Sequence, residues 1–415
     1  MLIHWIWLSM RPAVSDRVRA ELLQHFQDAE DIYFADDQAF GMVDGMSEEA
    51  AASLQDKDLT QAQQVLEACN RKHISILTYR DAAYPNRLRN ISDPPVVLYY
   101  KGRLPDFDGL PLIAVVGTRS ASSYGLTVAK RMGSQIAACG GIVVSGMAYG
   151  IDGMAMRGAL SAGSPVVGVL GCGVDVVYPL SNRALFADTE QCGCILSEFL
   201  PGTPPTKWNF PKRNRLLSGL SCGVLVVEAP EKSGALITAA RAAEQGRDVF
   251  VVPGNIDTVS CAGSNALLRD GAIAVGSGWD VLSEYEALFP DKIHRNTGIS
   301  RQNAYPDEVL LAAQEGENSR LKVAQKAKKV APCQPKNKKV IDKAKNSQYS
   351  DAEAKTPALS ENEAKIVSLV RQGKTLVDDI IAETGMPAGA VLAVLTMLEV
   401  KGVIARLPGK RVELK

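Results

Sequence analysis

The sequence predicts an α/β fold in which a doubly wound, mostly parallel sheet is joined to a small N-terminal helical domain and a C-terminal winged helix. The main observation is a series of short apolar runs, many closed by glycine, with helix-like segments between most of them. They lie at 112–117, 141–146, 165–171, 194–199, 223–229, 248–254 and 271–276. Continuously apolar strands that alternate with helices are typical of a parallel sheet covered on both faces.

Composition and periodicity divide the chain into four segments. Residues 1–72 carry apolar side chains at helical spacing and predict a domain of the SAM or helix–hairpin–helix kind, with Ser47 as a helix N-cap. Residues 73–288 hold the strands, including two earlier candidates, ISILTY and PPVVLYY. Within residues 289–356, the stretch 318–346 has ten Lys or Arg against one Asp and lacks an apolar stripe. Residues 289–356 therefore predict a basic flexible linker that either contacts nucleic acid or stays solvated.

The fourth segment, residues 357–415, contains three helix candidates and a hairpin candidate around Pro408-Gly409-Lys410, which is the pattern of a winged helix. The third helix candidate, with Pro387 near its start, offers almost no polar side chain to a base edge. The wing carries Arg406, Lys410 and Arg411. The domain is therefore expected to contact either phosphates, through the wing, or another protein.

The chain has 415 residues, zero formal net charge and eight cysteines. A zero net charge means that any nucleic-acid contact depends on a local cluster of cations. The cysteines form no CxxC pair and lie mostly in apolar or glycine-rich runs, which indicates reduced thiols of a cytoplasmic protein. The N-terminal run MLIHWIWLSM predicts a core helix and not a signal peptide. No run is long enough to span a membrane.

The basic–aromatic segment, residues 206–221, concentrates cations and aromatic rings. They are Lys207, Lys212, Arg213 and Arg215, with Trp208 and Phe210. Cations neutralise phosphates and an aromatic face stacks on a base, which is how proteins hold single strands without reading their sequence. The alternative is a solvated basic loop. Lys207 and Arg213 are expected to contact phosphate and Phe210, with Trp208, to stack a base, whereas Arg215 either contacts phosphate or braces the loop against Asp152 or Glu198.

Glycines and small polar residues follow several predicted strands, where ligands bind in an open α/β sheet. The turns are Gly117-Thr118-Arg119-Ser120, Ser145-Gly146-Met147-Ala148, Ser233-Gly234-Ala235 and Gly263-Ser264-Asn265. Helix N-termini at such turns present unpaired N–H groups that suit phosphate. Four turns beside the basic–aromatic segment favour an extended polyanion over one nucleotide. Arg119 is expected at the top edge of the sheet, either facing the ligand or paired with a carboxylate.

Common catalytic and cofactor signatures are absent from the sequence. None of the four histidines lies within 111–280, so the usual general base and metal ligand is missing from the expected site. No GxxxxGK[ST] occurs, and the first strand–helix turn reads GTRSAS in place of GxGxxG. Asp152, Asp175 and Glu198 lie near strand ends and are expected to cap helices or fix arginines. The sequence therefore predicts no catalytic residue, no metal and no cofactor.

Six motifs of the central segment point to one family. They are VVGTRSASSYG (115–125), SGMAYGIDGMAMRGAL (145–160), GVLGCGVDVVYPLSNRALF (168–186), FPKRNRLLSGLS (210–221), KSGALITAARAAEQGRDVFVVPG (232–254) and GSNALLRDGAIAV (263–275). Residues 73–288 strongly resemble the DprA/Smf family of bacterial DNA-processing proteins, and the flanks resemble it more loosely. The resemblance implies a Rossmann-like domain whose DNA pocket involves Arg119, Lys207, Phe210 and the run Arg213-Asn214-Arg215. Ser9–Pro12 stands where relatives often have a glycine hairpin.

The implied function is non-enzymatic. By this resemblance, the protein is expected to bind and protect single-stranded DNA without sequence specificity and to help load the RecA recombinase onto it during natural transformation. Single-strand binding protein would be displaced, and the Rossmann-like domain would form a homodimer, with 265–271 and the next strand as a candidate edge. The alternative is a nucleotide-processing phosphoribohydrolase of the same fold variant, but PGNID stands at 253–257 where its PGGxGTxxE motif is expected. A protein scaffold without a DNA role is a third reading.

Overall fold

The computed structural model describes residues 1–295 and, further along, residues 361–372, 375–384, 386, 391, 394, 395, 397–399, 403–407 and 411–414. The chain forms two compact units, Met1–Val330 and Ala331–Lys415. The cysteines within the described residues are free thiols. No helix in these ranges is long and apolar enough to cross a bilayer.

Helices form the N-terminal part of the first unit, as the apolar spacing predicts. They are α1 (Leu2–Met10), α2 (Asp16–His25), α3 (Ala29–Phe34), α4 (Asp37–Phe40), α5 (Glu48–Gln55) and α6 (Thr60–Arg71). Helix α1 is mostly apolar because it lies inside the domain, where residues 4–8 are buried. The predicted cap of α5 is confirmed, since Ser47 Oγ accepts a hydrogen bond from the Ala50 N–H at 3.1 Å.

The segment Ser9–Pro12, between α1 and α2, has a structural role. Arg11 is buried, and its Nη1 donates to the Asp56 carboxylate at 2.9 Å and to the Asp56 carbonyl at 3.0 Å. Its guanidinium also lies 5.3 Å from the centroid of the Trp7 ring. These contacts fasten the start of the chain to the core of the helical domain.

Nine strands form the central sheet. They are β1 (Ser75–Thr78), β2 (Val97–Gly102), β3 (Leu112–Val116), β4 (Ile142–Ser145), β5 (Val166–Val169), β6 (Cys194–Ser197), β7 (Gly223–Val226), β8 (Asp248–Val251) and β9 (Ile273–Ala274). Their order is β1-β2-β6-β5-β4-β3-β7-β8-β9. Strand β2 pairs antiparallel with β1 and β6, and the pairs from β6 to β9 are parallel.

Helices cover both faces of the sheet. They are α7 (Asn86–Arg89), α8 (Ser123–Ala138), α9 (Ile151–Ser161), α10 (Arg183–Cys192), α11 (Asn209–Leu220), α12 (Gly234–Glu244), α13 (Ala262–Arg269) and α14 (Gly278–Leu282). Apolar residues of α8, α9, α10 and α14 pack with one face, and those of α7, α11 and α12 with the other. Both faces are therefore buried, and the predicted doubly wound fold is confirmed.

The chain changes direction across the sheet beside β3. From β3 it passes through α8 to β4 on one side, whereas from β7 it passes through α12 to β8 on the other. Two neighbouring strands whose connections leave in opposite directions form a topological switch point, and a crevice opens outside their carboxyl ends. The fold thus assigns the ligand position to the turns after β3 and β7.

The first unit continues beyond residue 288, where the linker was predicted to begin. Ile293 is buried in the core, and the His294 N–H donates to the Cys139 carbonyl at 3.1 Å. Residues 289–295 therefore pack against the end of α8. The rest of the predicted linker, residues 296–356, lies outside the described residues.

The second unit contains α15 (Glu361–Arg371), α16 (Val377–Thr384) and an antiparallel hairpin of β10 (Ile404–Leu407) and β11 (Arg411–Leu414). Val391 and Leu395, from the third helix candidate, are buried in a core with residues of α15, α16 and the hairpin. The winged-helix prediction is confirmed. The turn between β10 and β11, including Lys410, lies outside the described residues.

Candidate nucleic-acid interface

A cleft of about 540 Å³ lies at the switch point, outside the carboxyl ends of β3 and β7. Its lining includes most of the predicted binding residues, namely Gly117, Thr118, Arg119, Lys207, Phe210, Arg213, Asn214, Ser233 and Gly234. The other predicted residues, Ser120, Ser145, Gly146, Lys212, Arg215 and Asn265, do not line it. The structure thus separates the predicted residues that line this cleft from those that do not.

Most of the basic–aromatic segment folds as helix α11, and this explains the separation. At 3.6 residues per turn, Phe210, Arg213, Asn214 and Leu217 fall on one side of the helix, which lines the cleft. This side is called the cleft face. Lys212 and Arg215 fall on the opposite side, called the domain face, which meets the N-terminal helical domain.

Arg215 is enclosed by carboxylates and does not face the cleft. The residue is 3% exposed. Its Nη2 donates to Glu198 Oε2 at 2.5 Å and to Asp16 Oδ2 at 3.0 Å, and its Nε lies 3.1 Å from Asp93 Oδ2. Arg215 therefore braces the helix through Glu198, as one of the two expected partners, and it does not pair with Asp152. Its guanidinium is not available to a phosphate.

Lys212 also belongs to the domain face. Its side chain is 46% exposed, and its Nζ lies 2.9 Å from Asp16 Oδ2. Burial alone would raise the pKa of Asp16, but the charges of Arg215, Lys212 and Arg19 together lower that pKa to about 2. One carboxylate of the helical domain thus neutralises two cations that the sequence suggested for nucleic acid.

Arg213 forms part of the floor of the cleft. It is 3% exposed, and its Nη1 donates to the carbonyls of Gly146 and Val169, at the ends of β4 and β5. Burial lowers its pKa to about 10, an effect that the nearby Asp152 carboxylate partly offsets. Arg213 therefore contributes positive charge at the floor of the cleft, while its Nη1 is hydrogen-bonded to the sheet. It was expected to contact phosphate directly, but its side chain is buried.

Phe210 packs against two other side chains. The guanidinium carbon of Arg119 is 4.8 Å from its ring centroid, and the Tyr178 ring centroid is 5.6 Å away at an interplanar angle of 34°. Gly171 packs beneath it so closely that a Cβ there would be 2.8 Å from the ring. Arg119 and Phe210 thus form a cation–π pair in the cleft wall.

Among the lining residues that sequence reasoning missed, Tyr178 and Lys232 offer an aromatic ring and a cation. Tyr178 lies within a quoted motif, GVLGCGVDVVYPLSNRALF, but nothing in its spacing indicates that it reaches Phe210. Lys232 directly precedes the Ser233-Gly234 turn, and a cation beside a glycine turn was a signal that could have identified it. Arg119, Lys207 and Lys232 are exposed, so the rim of the cleft carries three accessible cations.

Two N–H groups of the first turn, those of Thr118 and Ser120, already donate hydrogen bonds within the protein. The Thr118 N–H donates to the Glu228 carbonyl at 2.7 Å, and the Ser120 N–H donates to Thr118 Oγ1 at 3.2 Å. At the start of α8, the Glu228 carboxylate accepts from Ser122 N at 3.2 Å and from Ser122 Oγ at 2.9 Å. A carboxylate at a helix N-terminus takes the position that an anionic ligand otherwise uses. In this structure the N–H groups of Thr118, Ser120 and Ser122 are therefore not free for a phosphate.

The remaining predicted turn residues fix the backbone around the cleft. The Gly146 N–H donates to Asp152 Oδ2 at 3.2 Å, and the buried Ser145 Oγ donates to the Val115 carbonyl at 2.6 Å. Asn265 bridges the N–H and the carbonyl of Gly254, at 3.1 and 3.2 Å. Polar side chains that satisfy buried backbone groups in this way stabilise the turns.

The turn after β7 differs because it remains open. Ser233 Oγ caps α12 by accepting from the Ala235 N–H at 3.3 Å. A Cβ built on Gly234 would have no neighbour within 4 Å. A ligand can therefore approach the backbone here, next to Lys232. No cluster of His, Cys, Asp and Glu suited to a metal ion occurs among the described residues.

Comparison with known proteins agrees with this architecture. The family model described as DNA recombination-mediator protein A matches residues 75–286, and the model of the DprA winged helix domain matches residues 350–410. Protein Smf of Synechocystis sp. is 33% identical over 98% of this chain and 97% of its own length.

Two solved structures of DNA processing proteins also match this chain. DNA processing protein A of Streptococcus pneumoniae matches with a TM-score of 0.60 at 33% identity, over 68% of this chain and 98% of its own. DNA processing protein A of Helicobacter pylori, whose structure describes a single-stranded DNA binding mode, matches with a TM-score of 0.47 at 29% identity, over 53% of this chain and 97% of its own. The family model matches half of the sequence, and Protein Smf matches nearly all of it. The fold and its two domain types agree with these matches, so the chain belongs to the DprA/Smf family of DNA processing proteins.

Proposed function

We propose that the protein binds single-stranded DNA in the switch-point cleft. The observation that carries the proposal is the pairing of Arg119 with Phe210 in the cleft wall, with Lys207 and Lys232 as further exposed cations. A single strand offers phosphates to cations and bases to aromatic rings. Duplex DNA keeps its bases stacked inside the helix, so it matches only the cations.

The proposed contacts do not depend on base sequence. Every base has a π-face for an aromatic ring, and the exposed cations suit phosphates. The polar side chains of the cleft face that could read a base edge are committed elsewhere. Arg213 Nη1 donates to main-chain carbonyls, and Asn214 Nδ2 donates to the Gly234 carbonyl at 3.2 Å.

The binding proposal is tested by comparing oligo-dT with a duplex of the same length. Wild type is expected to prefer the single strand, and Arg119→Ala and Lys207→Ala to weaken its binding. Each phosphate contact that is lost lowers the magnitude of the salt slope by about 0.7. Arg131, an exposed residue midway along α8 and outside the lining, provides the matched control Arg131→Ala. Unchanged binding by folded Arg119→Ala and Lys207→Ala would contradict the assigned site.

We infer that the bound strand is passed to the RecA recombinase, with displacement of single-strand binding protein, during DNA uptake and natural transformation in the cytoplasm. Family membership supports this wider role. The measurement is the rate at which RecA forms filaments on strands coated with single-strand binding protein, with and without the protein. An unchanged rate would count against loading.

We infer a homodimer formed through the edge of the sheet. Strand β9 is the last strand of the sheet, and its two residues are exposed. Unpaired strand edges bind other strands readily, and a two-fold axis beside β9 and α13 would cover this one. Light scattering at micromolar concentration should give twice the mass of the chain, and a monomer mass would refute this interface.

We infer that the cleft binds without catalysis. Its buried carboxylate, Asp152, has a pKa raised by burial and accepts the Gly146 N–H, and so it supports the fold. In the PGNID turn, Asn255 Oδ1 accepts the Asp257 N–H at 2.9 Å, which is a local turn contact. Nucleoside monophosphates incubated with the protein should therefore be recovered intact. Release of free base would support the phosphoribohydrolase alternative instead.

A further inference from the structure

Trp208 has an unusual environment for a tryptophan. It is 75% exposed, whereas Trp5 and Trp7 are buried and Trp279 is half-buried. A large apolar ring in water lacks the free energy that burial would provide, and an exposed indole beside a cleft lined by cations is available to stack on a ligand.

The position of Trp208 is fixed by the fold. It is the N-cap of α11 with φ −79° and ψ −28°, and the next residue, Asn209, donates its N–H to the Thr206 carbonyl at 3.1 Å. Its neighbour Lys207 lines the cleft. Lys207 Nζ lies 4.7 Å from the centroid of the indole. The ring therefore stands beside the cleft with one cation close to it.

Phe210, by contrast, is a crowded stacking surface. Arg119 lies over its ring at 4.8 Å, Tyr178 is 5.6 Å away and Gly171 packs against it. Phe210 is half-buried, so these neighbours leave only part of its ring open to a base. More of the Trp208 ring is open, because most of its surface is already in solvent.

We propose that Trp208 is a base-stacking platform at the mouth of the cleft, where it holds an unpaired nucleobase while Lys207 neutralises the phosphate of the same nucleotide. The inference rests on the proposed binding of single-stranded DNA. It extends the path of the strand from the cleft onto the N-terminal end of α11. Stacking on an indole does not distinguish the bases, so the added subsite is also independent of sequence.

Tryptophan fluorescence tests the stacking directly. Adding oligo-dT to the full-length wild-type protein should quench the emission of a solvent-exposed indole, because a stacked base quenches the indole it covers. An abasic phosphodeoxyribose chain of the same length should leave the emission unchanged. In Trp208→Phe, which retains the three other tryptophans, the quenching by oligo-dT should disappear. Equal quenching in wild type and Trp208→Phe would overturn the proposal.

Affinity provides the second measurement. Trp208→Leu should weaken oligo-dT binding about five- to 150-fold, the range for loss of one stacked base, and Trp208→Phe should weaken it less. The matched control is Phe34→Leu, which removes an aromatic ring that is 72% exposed on the helical domain, and it should bind like wild type. Since Trp208 is exposed, the variants should retain the thermal midpoint of wild type.

The outcomes separate this inference from the proposed function. If wild type does not bind oligo-dT, the proposed function fails and this inference fails with it. If wild type binds and Lys207→Ala weakens binding, but Trp208→Leu binds like wild type, only the platform is refuted. A protein ligand for Trp208 would then be the explanation of its exposure.

Discussion

The two faces of helix α11 carry similar residues in different environments. On the cleft face, Phe210 pairs with exposed Arg119, and Arg213 forms the floor. On the domain face, Lys212 and Arg215 are neutralised by carboxylates. Cations one or two positions apart in one basic run thus have different roles, because a helix places them on opposite sides. We expect the domain face to contribute to stability and the cleft side to DNA binding.

Of these substitutions, Arg215→Met should cause the largest effect. It should lower the stability of the fold without weakening DNA binding. Removing this guanidinium leaves the carboxylates of Asp16, Asp93 and Glu198 together without their shared cation. Breaking a buried ion pair costs about 3–5 kcal/mol, so the free energy of unfolding from urea titration should fall by that amount.

The matched control is Arg119→Met, the same chemical change on the cleft side, where the lost cation–π contact costs about 1 kcal/mol or less. If Arg215→Met keeps its stability and instead loses oligo-dT binding, the assignment of the two faces is reversed.

The pH dependence of stability provides a second test of the contacts on the domain face. The pKa of Asp16 is lowered from 3.8 to about 2 in the folded protein, so its ionised form favours folding. The stabilisation is complete above about pH 4 and is lost as the pH falls through about 2, a change of about 2 kcal/mol. Unfolding free energies measured between pH 2 and 5 should therefore fall less steeply in Asp16→Asn than in wild type.

The comparison of wild type with Asp16→Asn isolates this carboxylate from its neighbours. Glu198, whose pKa is raised by burial, contributes to stability with the opposite sign, and it is present in both proteins. Identical slopes in the two proteins would show that Asp16 does not stabilise the contact between α2 and α11.

Arg119→Met should have the largest effect on DNA binding among the rim cations. It removes a charged donor, worth about 1.5 kcal/mol, and so should weaken oligo-dT binding about tenfold. Its unfolding free energy should change little. Comparable losses of stability and binding would mean that the cleft and the domain face are not separable.

The smallest expected effects come from replacing Lys207 or Lys212. The two are closely comparable, since both are accessible lysines of the basic–aromatic segment. Lys207→Ala should lower the magnitude of the salt slope for oligo-dT by about 0.7, the loss of one phosphate contact. Lys212→Ala should leave the slope unchanged and reduce stability by at most about 1 kcal/mol. The slopes come from Kd values measured at several salt concentrations, and a reduced slope in Lys212→Ala would show that Asp16 releases this lysine to DNA.

The sequence by itself determined the fold class. The apolar runs at 112–116, 142–145 and 223–226 became parallel strands because their side chains can be buried on both faces of a sheet. The turns that follow the runs at 112–116 and 223–226 line the cleft, since the carboxyl ends of parallel strands share one edge. Local patterns were sufficient for these predictions because they depend on the period of a strand or helix.

The tertiary structure decided which predicted residues remain free for a ligand. Arg215 is paired with Asp16, 199 positions away, and the N–H of Ser122 is occupied by Glu228, 106 positions away. No local period records such contacts. They form only when the sheet and the helical domain have packed, since a buried charge or N–H group must then find a partner wherever the fold brings one. The sequence thus specified the cations and the turns. Packing decided which of them stabilise the fold and which of them line the cleft.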